Sequence, residues 1–259
     1  MKPTTLLSTL LPLTSAYTIP KDTTTPNNNA IKIPTARESA ILARRILTLT
    51  PLGTISTIFP STTSSRNPPG IEGKPHALME YISACDPLTP SNPTLLSLNI
   101  SSTFRNAANA NLSLAITWTP PPLPPPPSRS FLSHLNPFSH SAPAQTQTQS
   151  YSAAALPRYS LMGYLEPIPG ADDPKSDVGK LVQTCYTTAH PDARYWLPGN
   201  RIHESHFVRL VVTEIYWVGG FGDRAYIGWI DAKDWESVTE EEIEGVRLPG
   251  EEPLEGGDL

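Results

Sequence analysis

Alternation of apolar and polar positions is clearest from Asn111 to Trp118, where Leu112, Leu114, Ile116 and Trp118 interleave with Asn111, Ser113, Ala115 and Thr117. A period of two puts the first set on one face of a strand and the second on the other, so one face is expected in a core. Upstream, Thr94 to Leu98 is a second β-rich run, and between the two runs Phe104, Ala107 and Ala108 have the spacing of a short helix. The stretch from Thr94 to Trp118 therefore predicts strand, polar turn, helix and strand. Ser101, Ser102 and Thr103 stand at the start of that helix, where hydroxyls can cap free N–H groups and the same N–H groups can hold an anion.

Flanking elements follow by the same reasoning. Thr35 and Glu38 have the spacing of a capping box, and Leu42, Ile46 and Leu49 then mark the buried face of a helix ending at Pro51, with Arg44 and Arg45 turned outward. Thr54 to Phe59 and Pro75 to Ser83 read as an antiparallel pair joined by a long polar loop, with Gly73, Lys74 and Pro75 where the second strand starts. Downstream, Arg158 to Ile168 is a strand. Asp173 and Pro174 are placed as N-cap and first helical turn of a helix whose Val178, Leu181, Val182, Cys185 and Ala189 form an apolar stripe stopped by His190-Pro191. Phe207 to Val218 is apolar on both parities apart from Arg209, Thr213 and Glu214, which predicts a central strand covered on two sides. Gly219, Gly220, Gly222 and Asp223 turn it into a partner strand, Ala225 to Ile230.

Composition changes this picture in three places. The chain has 259 residues and 30 prolines, far above the usual ~5%, and many fall between Pro120 and Ala155. Consecutive prolines favour polyproline II and remove backbone donors, so this tract is expected as a mobile loop inserted into a single domain spanning residues 35–238. The segment from Thr239 to Leu259 is strongly acidic, with Arg247 its one basic residue, and is expected as a disordered tail. It carries a charge of −7 out of a total of −5, leaving the body near +2 with no basic stripe and no case for nucleic acid. At the other end, Lys2, the apolar run Leu6 to Leu13 and Thr14-Ser15-Ala16 resemble a secretory signal over residues 1–16, followed by a polar, disordered leader over 17–34. No later stretch reaches the ~18 apolar residues of a membrane helix, so no membrane partner is expected.

Export bears on cysteines and asparagines. Cys85 and Cys185 either pair or lie as two buried free thiols, and spacing alone leaves both open. Asn99-Ile100-Ser101 and Asn111-Leu112-Ser113 are glycosylation sequons, so Asn99 and Asn111 are candidate glycan sites. No hydrolase elbow, Walker loop, dinucleotide fingerprint or Cys-x-x-Cys occurs, and no catalytic residue is nominated. His203, Glu204 and His206 invite a metal reading, but a zincin needs its histidines four apart on one helix face, so no metal site is assigned.

The order of elements, the GTIST strand, the Gly-Lys-Pro strand, the LLSL and LSLAITW strings, His190-Pro191 with Trp196 beyond, and IYWV before Phe221-Gly222 together resemble the CREG family. That family is a secreted, glycosylated branch of the FMN-binding split-barrel proteins related to pyridoxamine 5′-phosphate oxidase. The resemblance covers about residues 36–118 and 156–237. It implies a mostly β fold with flanking helices, a six-stranded antiparallel FMN-binding split barrel, and a homodimer in the secreted or endomembrane, vacuolar-lumen space. By position it implies Lys74, Ser97, Ser102 and Arg105 as the groups that would hold the phosphate of FMN. The turn departs from flavin-binding relatives, which have a His and an Asn where this chain has Ser102 and Arg105, and a glycan on Asn99 would compete for the same space. Two functions follow from the resemblance. One is a non-catalytic glycoprotein that acts by binding a protein partner, its flavin phosphate site degenerate or lost; the other is an FMN-dependent oxidoreductase resembling pyridoxamine 5′-phosphate oxidase.

Expressed with its natural leader, the mature chain is expected to begin near Tyr17 outside the cytosol, carrying glycan on Asn99, Asn111 or both. N-terminal sequencing and a mobility shift on glycosidase treatment check this, and an intact Met1 on cytosolic material would refute it.

Overall fold

The computed structural model describes residues 32–61, 67–121 and 152–251. The expected signal, most of the leader, the middle of the proline tract and the last residues of the tail lie outside them. A seven-stranded antiparallel sheet forms the body. It comprises β1 (Leu52–Ile58), β2 (Pro75–Tyr81), β3 (Thr94–Leu98), β4 (Leu112–Thr117), β5 (Arg158–Pro167), β6 (Ser205–Val218) and β7 (Ile227–Ile230). The strands run β2-β1-β4-β5-β6-β3, with β7 also paired to β6. The expected count of six thus becomes seven, because the hairpin partner of the long strand belongs to the same sheet. Ser83 and Thr94 exchange both backbone hydrogen bonds, at 3.1 and 2.8 Å, and so join the two ends of the strand path into a barrel.

Five helices flank the sheet among the described residues: α1 (Ala36–Leu49), α2 (Ser102–Ala107), α3 (Asp177–Ala189), α4 (Ala232–Glu236) and α5 (Glu240–Gly245). The stretch from Thr94 to Trp118 has the predicted order of strand, helix and strand, and Leu112, Leu114, Ile116 and Trp118 all enter the core. The main core fills the barrel and continues under α1, α4 and α5. A second core of Leu96, Phe207, Val182, Tyr186 and their neighbours packs α3 against the outer face of β3 and β6.

The long strand β6 owes its unusual pattern to a bulge. Val208, Leu210 and Val212 face the main core, then Ile215 and Trp217 do so on the opposite parity. The pairing with β5 steps from Gly163 opposite Val212 to Met162 opposite Glu214, which leaves Thr213 as the extra residue. Two-sided coverage accounts for Phe207 alone, which enters the second core; the rest of the double-parity signal is this one-residue slip. Position 163 must be glycine here, since a Cβ would lie 1.8 Å from the Val211 carbonyl oxygen.

Several expectations are corrected by packing. Helix α1 does begin with the Thr35–Glu38 capping box, but its buried stripe is Ala40, Ala43, Ile46 and Leu47, with Leu49 exposed. Arg44, expected outward, is buried: it donates to the carbonyls of Trp235 and Pro90 and lies over the Trp235 ring. Arg45 is mostly covered through its ion pair with Glu251. Helix α3 is capped by Ser176 instead of Asp173, and its stripe is rotated to Gly179, Val182 and Tyr186, leaving Leu181 exposed. The proline tract joins β4 to β5, which are adjacent and antiparallel with Thr117 opposite Arg158, so it replaces a hairpin turn. Closing a longer loop between ends already held together adds little entropic cost.

The acidic segment is the largest correction. Residues 239–251 are ordered: Thr239 and Glu242 form a second capping box, and Ile243 and Leu248 are buried in the main core. Two of its acids, Glu242 and Glu251, are tied into the structure. Glu242 pairs with Arg37 at 2.8 Å, Glu251 pairs with Arg45, and the Pro249 carbonyl accepts from the Trp118 indole at 2.8 Å. The Glu242 carboxyl is held below its ordinary range first by the Thr239 N–H and next by Arg37. Composition signals disorder only when apolar anchors are missing, and two anchors suffice here.

Ending the chain at Val238 is expected to lower unfolding free energy by about 2 to 4 kcal/mol, the scale of two buried aliphatic side chains less their ordering entropy. Urea denaturation measures it, and an unchanged midpoint would return the segment to the status of a tail.

Candidate functional site

Three of the four predicted phosphate ligands, Lys74, Ser102 and Arg105, lie around one end of β2 and the turn after β3. Alternation along β2 puts Lys74, His76 and Glu80 on the same side of the strand, and His76 is the residue that sequence reasoning missed. Its Nε2 lies 2.9 Å from the hydroxyl of Ser102, the first residue of α2. No sequence signal marks this contact, because it depends on β2 and α2 meeting across a barrel end. None of the three hydroxyls at the start of α2 caps it: Ser101 makes no side-chain cap, Ser102 is engaged with His76, and the Thr103 hydroxyl is buried without a full hydrogen bond.

Arg105 follows Ser102 by three residues, so both lie on one face of the helix. Its guanidinium donates to the Ile100 carbonyl at 2.6 Å, closing the turn that carries Asn99. Ser97 sits apart from this corner. It pairs with His206 across β3 and β6, and the His206 Nδ1 is 2.9 Å from Asp172, whose other oxygen accepts the Phe207 N–H at 2.8 Å. Glu204 stands 3.7 Å from the other ring nitrogen. His206 is thereby a strand-end brace, and among the described residues no three metal-ligating side chains converge on a point. Asn99 and Asn111 are both exposed, Asn99 in the turn between β3 and α2 and Asn111 just before β4.

A phosphate dianion is held by several donors aimed at one position. Lys74, Ser102 and Arg105 share a corner, but Ser102 is taken by His76, Arg105 closes its own turn, and Ser97 belongs to another strand pair. The set as it stands does not fit the phosphate of FMN.

The two cysteines resolve the alternative left open by the sequence. Cys85 and Cys185 form a disulfide, with their Cα atoms 5.7 Å apart. It ties α3 to the segment following β2, and His190 adds a second tie through a 2.9 Å contact from Nε2 to the Ile82 carbonyl. A bridge closing about a hundred residues restricts the unfolded chain by roughly 4 to 5 kcal/mol in the chain-entropy account.

The sheet order, the two cores and the covering helices define a split β-barrel with helices at its ends. The model of the CREG β-barrel family matches residues 34–237, and the chain belongs to that family. Comparison with curated proteins gives no match. Among solved structures, the chain is similar to a heme-binding protein from Mycobacterium smegmatis, at 20% identity, covering 80% of this chain and 62% of that one, with a TM-score of 0.49. It is also similar to HutZ, the heme storage protein from Vibrio cholerae, at 12% identity over 71% and 95% of the two chains with a TM-score of 0.43. A FAD-binding protein from Mesorhizobium loti is 12% identical over 68% and 91%, with a TM-score of 0.39. The chain thus spans less than two thirds of the heme-binding protein's length, and at these identities the likeness concerns fold alone.

Proposed function

We propose that this protein is a secreted CREG-like split-barrel glycoprotein that acts by binding protein, with a flavin phosphate site that has degenerated. The observation that carries the reading is the engagement of Ser102 by His76 and of Arg105 by the Ile100 carbonyl, which removes two of four phosphate ligands into the protein's own architecture. A disulfide supports an oxidising compartment, and the exposed Asn99 beside that turn supports a glycan where a phosphate would otherwise approach.

The protein bound is, first, a second copy of the same chain. On the outer face of the sheet, Met79, Thr54, Ala115, Ser160, Tyr216 and Trp229 stand opposite one another on six successive strands. Small residues in the middle with Met79 and Trp229 exposed at the ends make a shallow apolar surface, of the kind that marks an interaction site. Tyr216 and Trp229 meet edge to face at 5.1 Å, a rigid aromatic pair of the type that anchors interfaces.

The cofactor arm is tested by titrating the unglycosylated protein with FMN and riboflavin, followed by the Lys74→Ala and Arg105→Ala variants. The expected result is no flavin retained and no preference for FMN. Micromolar binding that favours FMN and falls by about 1.5 to 3 kcal/mol in either variant, the scale of a charged hydrogen bond, would replace this reading with the FMN-dependent oxidoreductase. The dimer is tested by sedimentation. The native chain is expected at twice its chain mass and Trp229→Glu at monomer mass with an unchanged melting temperature, whereas a monomeric native chain would overturn the self-association.

A further inference from the structure

Strand alternation gives one of the two sequons a floor that the other lacks. Leu112 pairs with Gly163 at the first rung between β4 and β5, and Leu112 and Leu165 both pack against the main core. Asn111, immediately before β4, and Tyr164 therefore turn outward, and one step beyond that rung they stand across from each other. Side chains so placed in an antiparallel pair have β-carbons about 4.5 to 5.5 Å apart. Asn111 is exposed, and Tyr164 leaves 47% of its surface open, a large share for an aromatic residue inside a ten-residue strand.

Both residues line one open depression of about 380 Å³, whose far wall is the end of α2 and the turn after it, Ala107 to Ala110. That volume is in the range of small-ligand sites. Its lining suits a neutral sugar: an aromatic face from Tyr164, methyl groups from Ala108 and Ala110, an amide from Asn109, and no charged side chain. N-linked N-acetylglucosamine is neutral and has a face of C–H groups that packs on aromatic rings. It is attached when the Asn amide nitrogen loses a proton and displaces the lipid diphosphate from the anomeric carbon of the sugar donor. An attachment point in the wall of the depression thus identifies the occupant. Asn99 has no such neighbour: its N–H donates to the Glu204 carbonyl at 3.0 Å, so a glutamate stands across from it, and the Arg105 guanidinium closes its turn.

We propose that Asn111 carries a glycan whose first N-acetylglucosamine is seated in this depression on the ring of Tyr164, as part of the folded surface. The seat rests on the reading of the protein as a secreted glycoprotein. Ala115 and Ser160, at the centre of the proposed dimer face, lie four residues further along the same two strands, about 13 to 14 Å away, so the seated sugar borders that face without covering it.

The native chain is made in a secreting host that attaches high-mannose glycans, beside Asn111→Gln, Tyr164→Ala and the double variant. Peptide mass spectrometry reads occupancy at each sequon. Thermal melting is followed before and after endoglycosidase H, which leaves a single N-acetylglucosamine on the asparagine. Asn111 is expected to be occupied, and trimming to one sugar to leave the melting temperature unchanged. Asn111→Gln is expected to lower it by roughly 2 to 4 °C, the scale of one modest packing contact in a domain this size. Tyr164→Ala is expected to cost more in the glycosylated chain than in the Asn111→Gln background, a difference that a purely structural tyrosine would not show. In the trimmed native chain, nuclear Overhauser contacts between the sugar and the Tyr164 ring are expected, and their absence would overturn the seat without recourse to any variant. Glycan on Asn99 alone, equal melting temperatures for the native chain and Asn111→Gln, or the same loss from Tyr164→Ala in both backgrounds would each overturn the seat and leave the glycoprotein reading in place. A chain with neither sequon occupied would overturn both.

Discussion

One strand has to serve two cores and three partners, and the way β6 does so constrains everything around it. Its first half pairs with β3 on one edge and its second half with β7 on the same edge, while β5 runs along the other for nearly its whole length. A strand of fourteen residues with a strict period of two would twist its later inward side chains away from a closing barrel. The extra residue at Thr213 resets the parity, so Ile215 and Trp217 enter the same interior as Val208 and Leu210. Close approach of the two backbones at that point leaves room only for glycine at 163. Without the slip, either Trp217 or Leu210 would face water, at about 1.5 to 3 kcal/mol for each large side chain left out.

With the sheet curled in this way, its ends meet at the Ser83–Thr94 bridge, and helices cover the remaining opening. The helices act on that opening in different ways. Helix α2 plugs the barrel end with Phe104 and Ala107 and brings Ser102 to His76. Helix α3 covers the outside of β3 and β6 and, tied by the disulfide, roofs a cavity walled by Leu52, Met79, Leu96 and Leu98. The corner that the family resemblance points to for phosphate and the cavity under α3 thus lie on opposite faces of β2.

The other end of the barrel is held by α1, α4 and α5, and its stability depends on a few buried polar contacts. Arg44 is the centre of this group, with Trp235 below its guanidinium and carbonyls from Trp235 and Pro90 as acceptors. Desolvation pulls its basicity down, yet an arginine remains charged at any relevant pH, so the site depends on those acceptors being in place. The Tyr159 hydroxyl donating to the Ala43 carbonyl at 2.9 Å and the Trp235 indole donating to Ser91 at 3.0 Å complete the joint between helix and sheet.

Local pattern by itself determined much of this protein. Strict alternation from Leu112 to Trp118, the capping box at Thr35 and Glu38, and the His190-Pro191 stop each have a cause within a few residues, and each appears where the pattern places it. The resemblance of element order to the CREG family carried the fold class, because order survives where individual side chains do not. What only the tertiary structure decided are the interactions between distant segments. Arg44 is charged and its position in the helix pattern points outward, but a tryptophan 191 residues away supplies its acceptor. The acidic run after Thr239 reads as a tail, but Arg37 and Arg45 pair with Glu242 and Glu251 and the core accepts Ile243 and Leu248. Cys85 and Cys185 are a hundred positions apart, and β2, β3 and α3 must assemble before their Cα atoms come within bonding range. Glu80 and His76 carry no signature along the chain, since an acid or histidine on an edge strand is ordinary until a helix and a neighbouring strand bury it.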